Sequence, residues 1–451
     1  MKLRSVFITL TLLVGGSILT SCTQNSGLQN EALEVSVSAT LLKAQALIEP
    51  PSTGAYSSGI YRNLVSEAGV TADIASRLNN TWDQFFTSTD NNKRLYYPAG
   101  SNSDGELAYI YDANDNDVRS EGMSYGMMIA VQMDKQPAFD ALWNWSKTYM
   151  QQSSGDYQDY FAWHCRTDGT KIDQNPAPDG EEYLAMSLLF AAGRWGNKTG
   201  IYNYQKEAND ILNVMLHKED MNGGGVSGVT NMFNDYNQVV FVPSTDSGLN
   251  SFTDPSYHVP AFYDLFSQWA SGYTDRAADR ARWANIADAS RYYLFDKAAD
   301  SGTGLSPDYS EFDGTPKSLN SNDGHDNYAY DAWRVSMNWA VDYAWFAKIA
   351  NETVLVDRLQ SFMESQGVST FHNTYTVGGQ ALDTYRDSGH VAMLATSSLA
   401  STQARGNTFV QELWNNAAIP TGQYRYYSGL LYFMGLLHTS GNFKIYEPGG
   451  V

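Results

Sequence analysis

Residues 116–133 read NDVRSEGMSYGMMIAVQM: a polar, aspartate-rich loop turns abruptly into a run of methionines and small residues. The run after Glu121 continues as a helix to about residue 135, and a second segment of helical spacing, 136–151, follows at once. Apolar residues recurring every three or four positions mark an amphipathic helix. The same spacing is met from SSGIYRNLVSEAGVTADIASRLNNTWDQFF (57–86) onward, then over 181–195, 203–217, 258–271, 275–294, 331–349, 351–365, 391–403, 407–416 and 424–439. Strand-like alternation is sparse, with QVVFVPS (238–244) the best candidate. No short exact repeat is visible, which disfavours regular helical arrays. The expected class is therefore all-α, a set of helices able to pair into a closed barrel of helical hairpins. Four long loops rich in Gly, Asp, Asn and aromatics, 90–118, 152–180, 219–256 and 298–330, would build a cleft at one end. Long loops in a compact domain are usually functional.

Composition narrows the ligand. The chain carries 30 Tyr, 19 Phe and 11 Trp and a formal charge of −20, with no basic run. Phosphate neutralisation needs clustered Lys and Arg, so nucleic acid is not an expected partner. An acidic surface also disfavours polyanionic polysaccharides. Neutral ligands with flat or pyranose-like faces suit the aromatic surplus.

The first residues, MKLRSVFITLTLLVGGSILTSC, have the basic start and short apolar core of a secretion signal. LTSC resembles a bacterial lipobox, which makes Cys22 the expected lipidated residue. Three segments are expected: a signal over 1–21, a lipidated tether over 22–52 and a catalytic domain over 53–451. The address is the bacterial envelope, an outer-membrane lipoprotein facing the periplasm or the cell surface, with the membrane met only through the lipid. With Cys22 lipidated, Cys165 has no partner for a disulfide.

Neither metal nor cofactor is expected. HExxH and GxxxxGK[ST] are both missing. DANDNDVRSEGM (112–123) superficially matches a calcium loop, but Asp117 and Met123 stand where Gly and Glu are needed. Carboxylates remain. Glu121 stands at the mouth of an apolar helix, where burial would raise its pKa as a general acid requires; an acid in a first turn also simply favours the helix dipole. Asp179, in NPAPDGEEYLAMSLLFAAGRWG, is either a site carboxylate or an N-cap. Asp331, in NYAYDAWRVSMNWAVDYAWF, has aromatics on both sides and Arg334 three residues on. Arg334 can pair with Asp331 structurally, or bond a sugar hydroxyl while holding the Asp ionised. Tyr257 and His258 open another helix in DPSYHVPAFYDLF, and a lone His of this kind is more often structural.

Taken together, VRSEGMSYGMMIAVQMDKQPAFDALWNW, YFAWHCRTDGT, APDGEEYLAMSLLFAAGRWGN, DPSYHVPAFYDLF, YDAWRVSMNWAVDYAWF and PTGQYRYYSGLLYFMGLLHTSGNFKIY resemble glycoside hydrolase family 8, in the family's order and from about residue 54 to 448. The set is similar to its xylan-active branch. The resemblance implies an (α/α)6 barrel and inverting hydrolysis of β-1,4 links in xylo-oligosaccharides or xylan; separately, a monomer is expected. It implies Glu121 as general acid, Asp331 as general base and Asp179 as the carboxylate that positions the sugar. Trp163, Tyr257, Arg334, His390 and Tyr427 are the implied substrate contacts. The stretches around Glu121 and Trp163 resemble enzymes that release xylose from the reducing end, whose cleft is closed by a Leu-His-Pro kink. At that place TYRDSGHVAML keeps His390 between Gly389 and Val391. GAYSSGIYRNL and YRYYSGLLY resemble the open-cleft endo-xylanases just as much; reducing-end xylose release is the expected mode and endo cleavage the alternative. Two other classes compete: a non-catalytic glycan-binding lipoprotein, and a helical-barrel polysaccharide lyase, for which the basic complement is thin.

Overall fold

The structure is a computed structural model that describes residues 52–224, 228–321 and 323–449. The signal, Cys22 and the tether before residue 52 lie outside the described residues.

Helices alternate between an inner and an outer ring. The inner six are Ser120–Gln132, Pro178–Trp195, Pro260–Trp269, Ala332–Phe346, Ser388–Ser397 and Arg425–Thr439. Each is followed by an outer helix, Gln136–Trp145, Tyr204–Met221, Arg276–Tyr293, Asn351–Ser365 and Arg405–Gln411 in turn, and Ile74–Trp82 backs the sixth. Inner neighbours pack side by side around the ring. Between Pro178–Trp195 and Pro260–Trp269 the seam is made by side chains: Tyr183 meets Phe262 edge-on at 4.8 Å, and Tyr263 Oη donates to Glu182. The family's (α/α)6 architecture is present.

Sequence decides which ring a helix joins. In Ser120–Gln132 every residue but Glu121 is buried, as expected of a helix that is apolar on all sides. Arg276–Tyr293 buries only part of its length, in a stripe that includes Trp283, Ile286, Ala287 and Ser290. Because inner and outer helices alternate in direction, all inner helices run the same way. Their N-termini therefore gather at one end of the barrel.

Two expectations need correction. QVVFVPS does not form a strand: Val240 N–H donates to Met232 O at 3.0 Å and Phe241 N–H to Phe252 O at 2.8 Å, so its backbone is split between two loops. The strands lie elsewhere, in a hairpin of Tyr96–Asn102 and Gly105–Ile110 and a small sheet of Val118–Arg119, His164–Cys165 and Lys171–Asp173. The helix expected over 391–403 runs instead over Ser388–Ser397. Asp387 accepts from Gly389 N–H and starts it early, while the serines that follow bond back to the chain and end it, Ser397 Oγ donating to Leu394 O at 2.7 Å.

Candidate active site

The gathered N-termini and the loops above them enclose a cavity of about 540 Å³. Glu121 is the second residue of its helix, and Asp179 the second of Pro178–Trp195 after a proline at the first position. Asp331 is the residue just before Ala332–Phe346. Tyr257 ends the short turn Pro255–Tyr257 ahead of the next inner helix, and Tyr427 is in the first turn of Arg425–Thr439. All five line the cavity, together with Trp163.

One guanidinium organises the three acids. Arg334 is 2 % exposed. Its Nη1 lies 2.8 Å from Asp179 Oδ2 and 3.1 Å from Glu121 Oε2, and its Nη2 lies 3.0 Å from Asp331 Oδ1. Tyr125 Oη and Ser256 Oγ accept from the same two nitrogens at 2.7 and 2.8 Å. These contacts occupy both Nη groups, while the buried Nε has no hydrogen-bond partner; Arg334 stands behind the carboxylates and is absent from the cavity wall. The expected sugar contact is corrected to a buried counter-ion.

One positive charge cannot neutralise three carboxylates. Burial pushes the Glu121 carboxyl up to about 8; Arg334 opposes the rise, and Asp179 and Asp331 add to it. Asp179 is raised as well, by burial, against the pull of Arg334. Glu121 therefore keeps its proton near neutral pH. Asp331 has its side chain 29 % exposed and lines the cavity. Tyr426 Oη donates to Glu121 Oε1 at 3.0 Å. That approach requires Gly122: a Cβ there would lie 2.4 Å from Tyr426 Cε2.

The alternatives left open by the sequence now separate. Asp179 does not cap its helix; Ala177 occupies the cap position, and Asp179 accepts from Gly180 N–H and Arg334 instead. His390 is a correction: it is fully buried, stacked on Trp333 at 4.8 Å and bonded to Tyr328 Oη at 2.8 Å. The early start of its helix draws it into the core, away from the cavity. His258 is structural, bonded to Thr253 and Ser290. In the aspartate loop, Asp112, Asp115 and Asp117 converge on Arg119, which takes the place a calcium ion would need. Among the described residues no group of His, Cys, Asp and Glu forms a metal site.

Residues 54–441 match the model of glycosyl hydrolases family 8. The chain belongs to glycoside hydrolase family 8. It is 42% identical over 399 residues to a reducing-end xylose-releasing exo-oligoxylanase from Paenibacillus barcinonensis, covering 87% of this chain and 98% of that one. A second exo-oligoxylanase of this name, from Halalkalibacterium halodurans, is 38% identical over 88% of this chain and 97% of its own. Among solved structures, the family 8 xylobiose complex from Teredinibacter turnerae superposes with a TM-score of 0.82 at 45% identity, covering 88% of this chain and 100% of that one.

In this family 8 enzyme, several site residues had gone unread in the sequence. Tyr426 adjoins Tyr427, and only the helical register decides which of the two reaches Glu121. Ser256 and Tyr125 bond Arg334 from separate inner-ring segments. Asp254, fully buried and pushed well up by burial, with Asp331 adding to the rise, caps the turn that carries Ser256 and Tyr257. Its only sequence signal is the Asp-Pro of DPSYH. Chemically, the site offers a proton donor and an exposed carboxylate held by the two Nη atoms of one guanidinium, with a cavity between.

Proposed function

We propose that this protein hydrolyses β-1,4-xylosidic bonds with inversion, releasing xylose from the reducing end of xylo-oligosaccharides. Glu121 protonates the departing glycosidic oxygen, Asp331 deprotonates the attacking water, and Asp179 holds the sugar between them. The observation that carries this reading is the pairing of Glu121 and Asp331 across Arg334, one acid keeping its proton near pH 7. Inverting glycosidases place their carboxyl groups roughly 6.5–9.5 Å apart so that a water fits between. Contacts of 3.1 and 3.0 Å to the Nη atoms of one guanidinium limit the separation to those contacts plus the span between the two nitrogens. Trp163, Tyr257 and Tyr427 offer ring surface along the same wall.

Three exo-oligoxylanases among the curated relatives, 42, 38 and 34% identical, support the reducing-end mode. Two observations favour endo cleavage as the second reading: the Teredinibacter turnerae xylohexaose complex at 44% identity is described as a xylanase, and His390, expected at the closing kink, is buried away from the cavity. Digestion of xylohexaose, free and borohydride-reduced, separates the two. Stepwise xylose release that reduction blocks is expected; a ladder of shorter oligomers from both substrates identifies endo cleavage. No sugar released from either overturns the hydrolase.

The lipobox at Cys22 supports an envelope lipoprotein anchored by its lipid alone, and a monomeric catalytic domain is proposed with it. Metabolic labelling with a palmitate analogue, lost in Cys22→Ser, tests the anchor, and light scattering of the soluble domain tests the monomer.

A further inference from the structure

We propose that Asp308, backed by His325, is a positioning residue for the general base: it holds the peptide unit that carries Asp331. This rests on Asp331 being the base.

The Tyr330–Asp331 peptide has both of its polar atoms held by side chains. Its carbonyl oxygen accepts from Tyr427 Oη at 2.9 Å, and its N–H donates to Asp308 Oδ1 at 3.1 Å. Tyr330 has φ +24°, a conformation that residues other than glycine seldom adopt. Strain of this kind persists only where surrounding contacts over-determine it. Two side chains gripping one peptide from opposite sides are such contacts, and the strained peptide is the one that aims the base.

Asp308 is itself fixed. It is 2 % exposed, and its Oδ2 lies 2.5 Å from His325 Nδ1. The His325 ring stacks on Tyr309 at 4.0 Å with an interplanar angle of 14°. Backbone bonds close the assembly, from Tyr309 N–H to His325 O at 2.7 Å and from Asp308 N–H to Asn327 O at 2.8 Å. Burial pushes the Asp308 carboxyl up to about 6 against the hydrogen bond from His325, and Asp331 adds to the rise. Burial lowers His325, but the hydrogen bond and charge of Asp308 together with the charges of Asp323 and Asp331 outweigh it, and the net shift is upward. The charged neighbours of the pair are Asp331, Arg334 and Asp323, and the charge of Asp308 also acts on Asp254. The division of labour is clear: Arg334 takes one Asp331 oxygen, and Asp308 fixes the backbone from which the carboxylate projects.

The test compares wild type, Asp308→Ala, Asp308→Asn, His325→Ala and His325→Asn on xylohexaose, with kcat and KM separated and melting temperatures recorded. A misplacement of one ångström can cost about 10²-fold, so Asp308→Ala is expected to lose about that much kcat with KM within about twofold. Asp308→Asn keeps the acceptor and loses the charge that pairs with His325; an intermediate loss of about tenfold is expected. His325→Asn places a donor where Nδ1 stands and should retain activity within about threefold, whereas His325→Ala loses about tenfold. Wild-type kcat in Asp308→Ala overturns the proposal, as do kcat and KM that fall together with the melting temperature. If Asp308→Ala does not fold, equal kcat in the two His325 variants overturns it. A wild-type enzyme that releases no sugar overturns the hydrolase itself, which is a different result from an active enzyme indifferent to Asp308.

Discussion

Glu121 carries a buried carboxyl whose raised pKa costs the fold stability as pH rises. Its carboxyl is raised from 4.5 to about 8, with burial the first cause. A folded-state pKa above the unfolded value means that the native state binds more protons between those two limits. The stability this gives is full below pH 4.5 and is lost as pH rises through 8. Glu121→Gln removes the titration, so the variant is expected to gain on wild type as pH rises, by about 1–3 kcal/mol at pH 8 and by nothing near pH 4. Urea melts at both pH values measure the difference; an equal offset at the two would show that Glu121 is not held protonated. The same substitution, and Asp331→Asn, should each cost roughly 10²–10⁴-fold in kcat, the usual worth of one proton transfer. Full activity in either variant removes that residue from the mechanism. The wild-type rate should fall on the alkaline side near pH 8, as Glu121 loses its proton, and a pH–kcat profile reads that limb directly.

At the scale of elements, the site depends on how closely the inner helices approach. Gly122 faces Tyr426 of Arg425–Thr439 with no room for a methyl group, and Gly180 faces Ser120 Oγ, 2.5 Å from where its Cβ would lie. In an unpacked helix Gly→Ala stabilises by up to about 1 kcal/mol. Here Gly122→Ala is expected to destabilise by about 1–3 kcal/mol, the cost of overpacking, because Tyr426 is buried and cannot yield. It should also lower kcat by displacing the hydroxyl from Glu121. A thermal melt that shows stabilisation would contradict the close packing. The helices themselves were legible from spacing alone, from 136–151 to 424–439, because 3.6-residue periodicity is local. The ends were less so: Ser388–Ser397 begins three residues before its apolar pattern does, since an Asp387 cap, and not a hydrophobic side chain, starts it. That shift is what moved His390 from the expected cleft into the core.

For the whole molecule, two sets of buried groups oppose one another as pH changes. Burial raises Glu181, Glu182, Glu352 and Asp254 well above their usual values. Their contribution to stability is present at low pH and lost as pH rises. Burial lowers His258, His390 and His438 from 6.5 to about 3. The unfolded chain then binds more protons between those values, so their contribution is full above pH 6.5 and is lost as pH falls toward 3. The slopes offset between about pH 4.5 and 6.5, and above that only the carboxyl slope is left. A melting-temperature maximum on the acid side of neutrality is expected, with a steady decline toward pH 9. Calorimetry across pH 4–9 checks it, and a maximum above pH 8 would refute it.

The sequence by itself determined the ring of helical hairpins, because apolar periodicity and the placement of Asp, Pro and Gly at helix starts act over a few residues. It also determined that Glu121, Asp179 and Asp331 each stand at the start of a helix. Tertiary structure alone decided what surrounds those acids. Arg334 meets Glu121 across 213 residues of chain, and Tyr426 meets it across 305. Desolvation and Coulomb interactions depend on such distances in space and leave no trace in local spacing. Hence the raised carboxyl of Glu121, the burial of Arg334 behind the acids and the bond from Asp331 N–H to Asp308 emerge only once the barrel has closed.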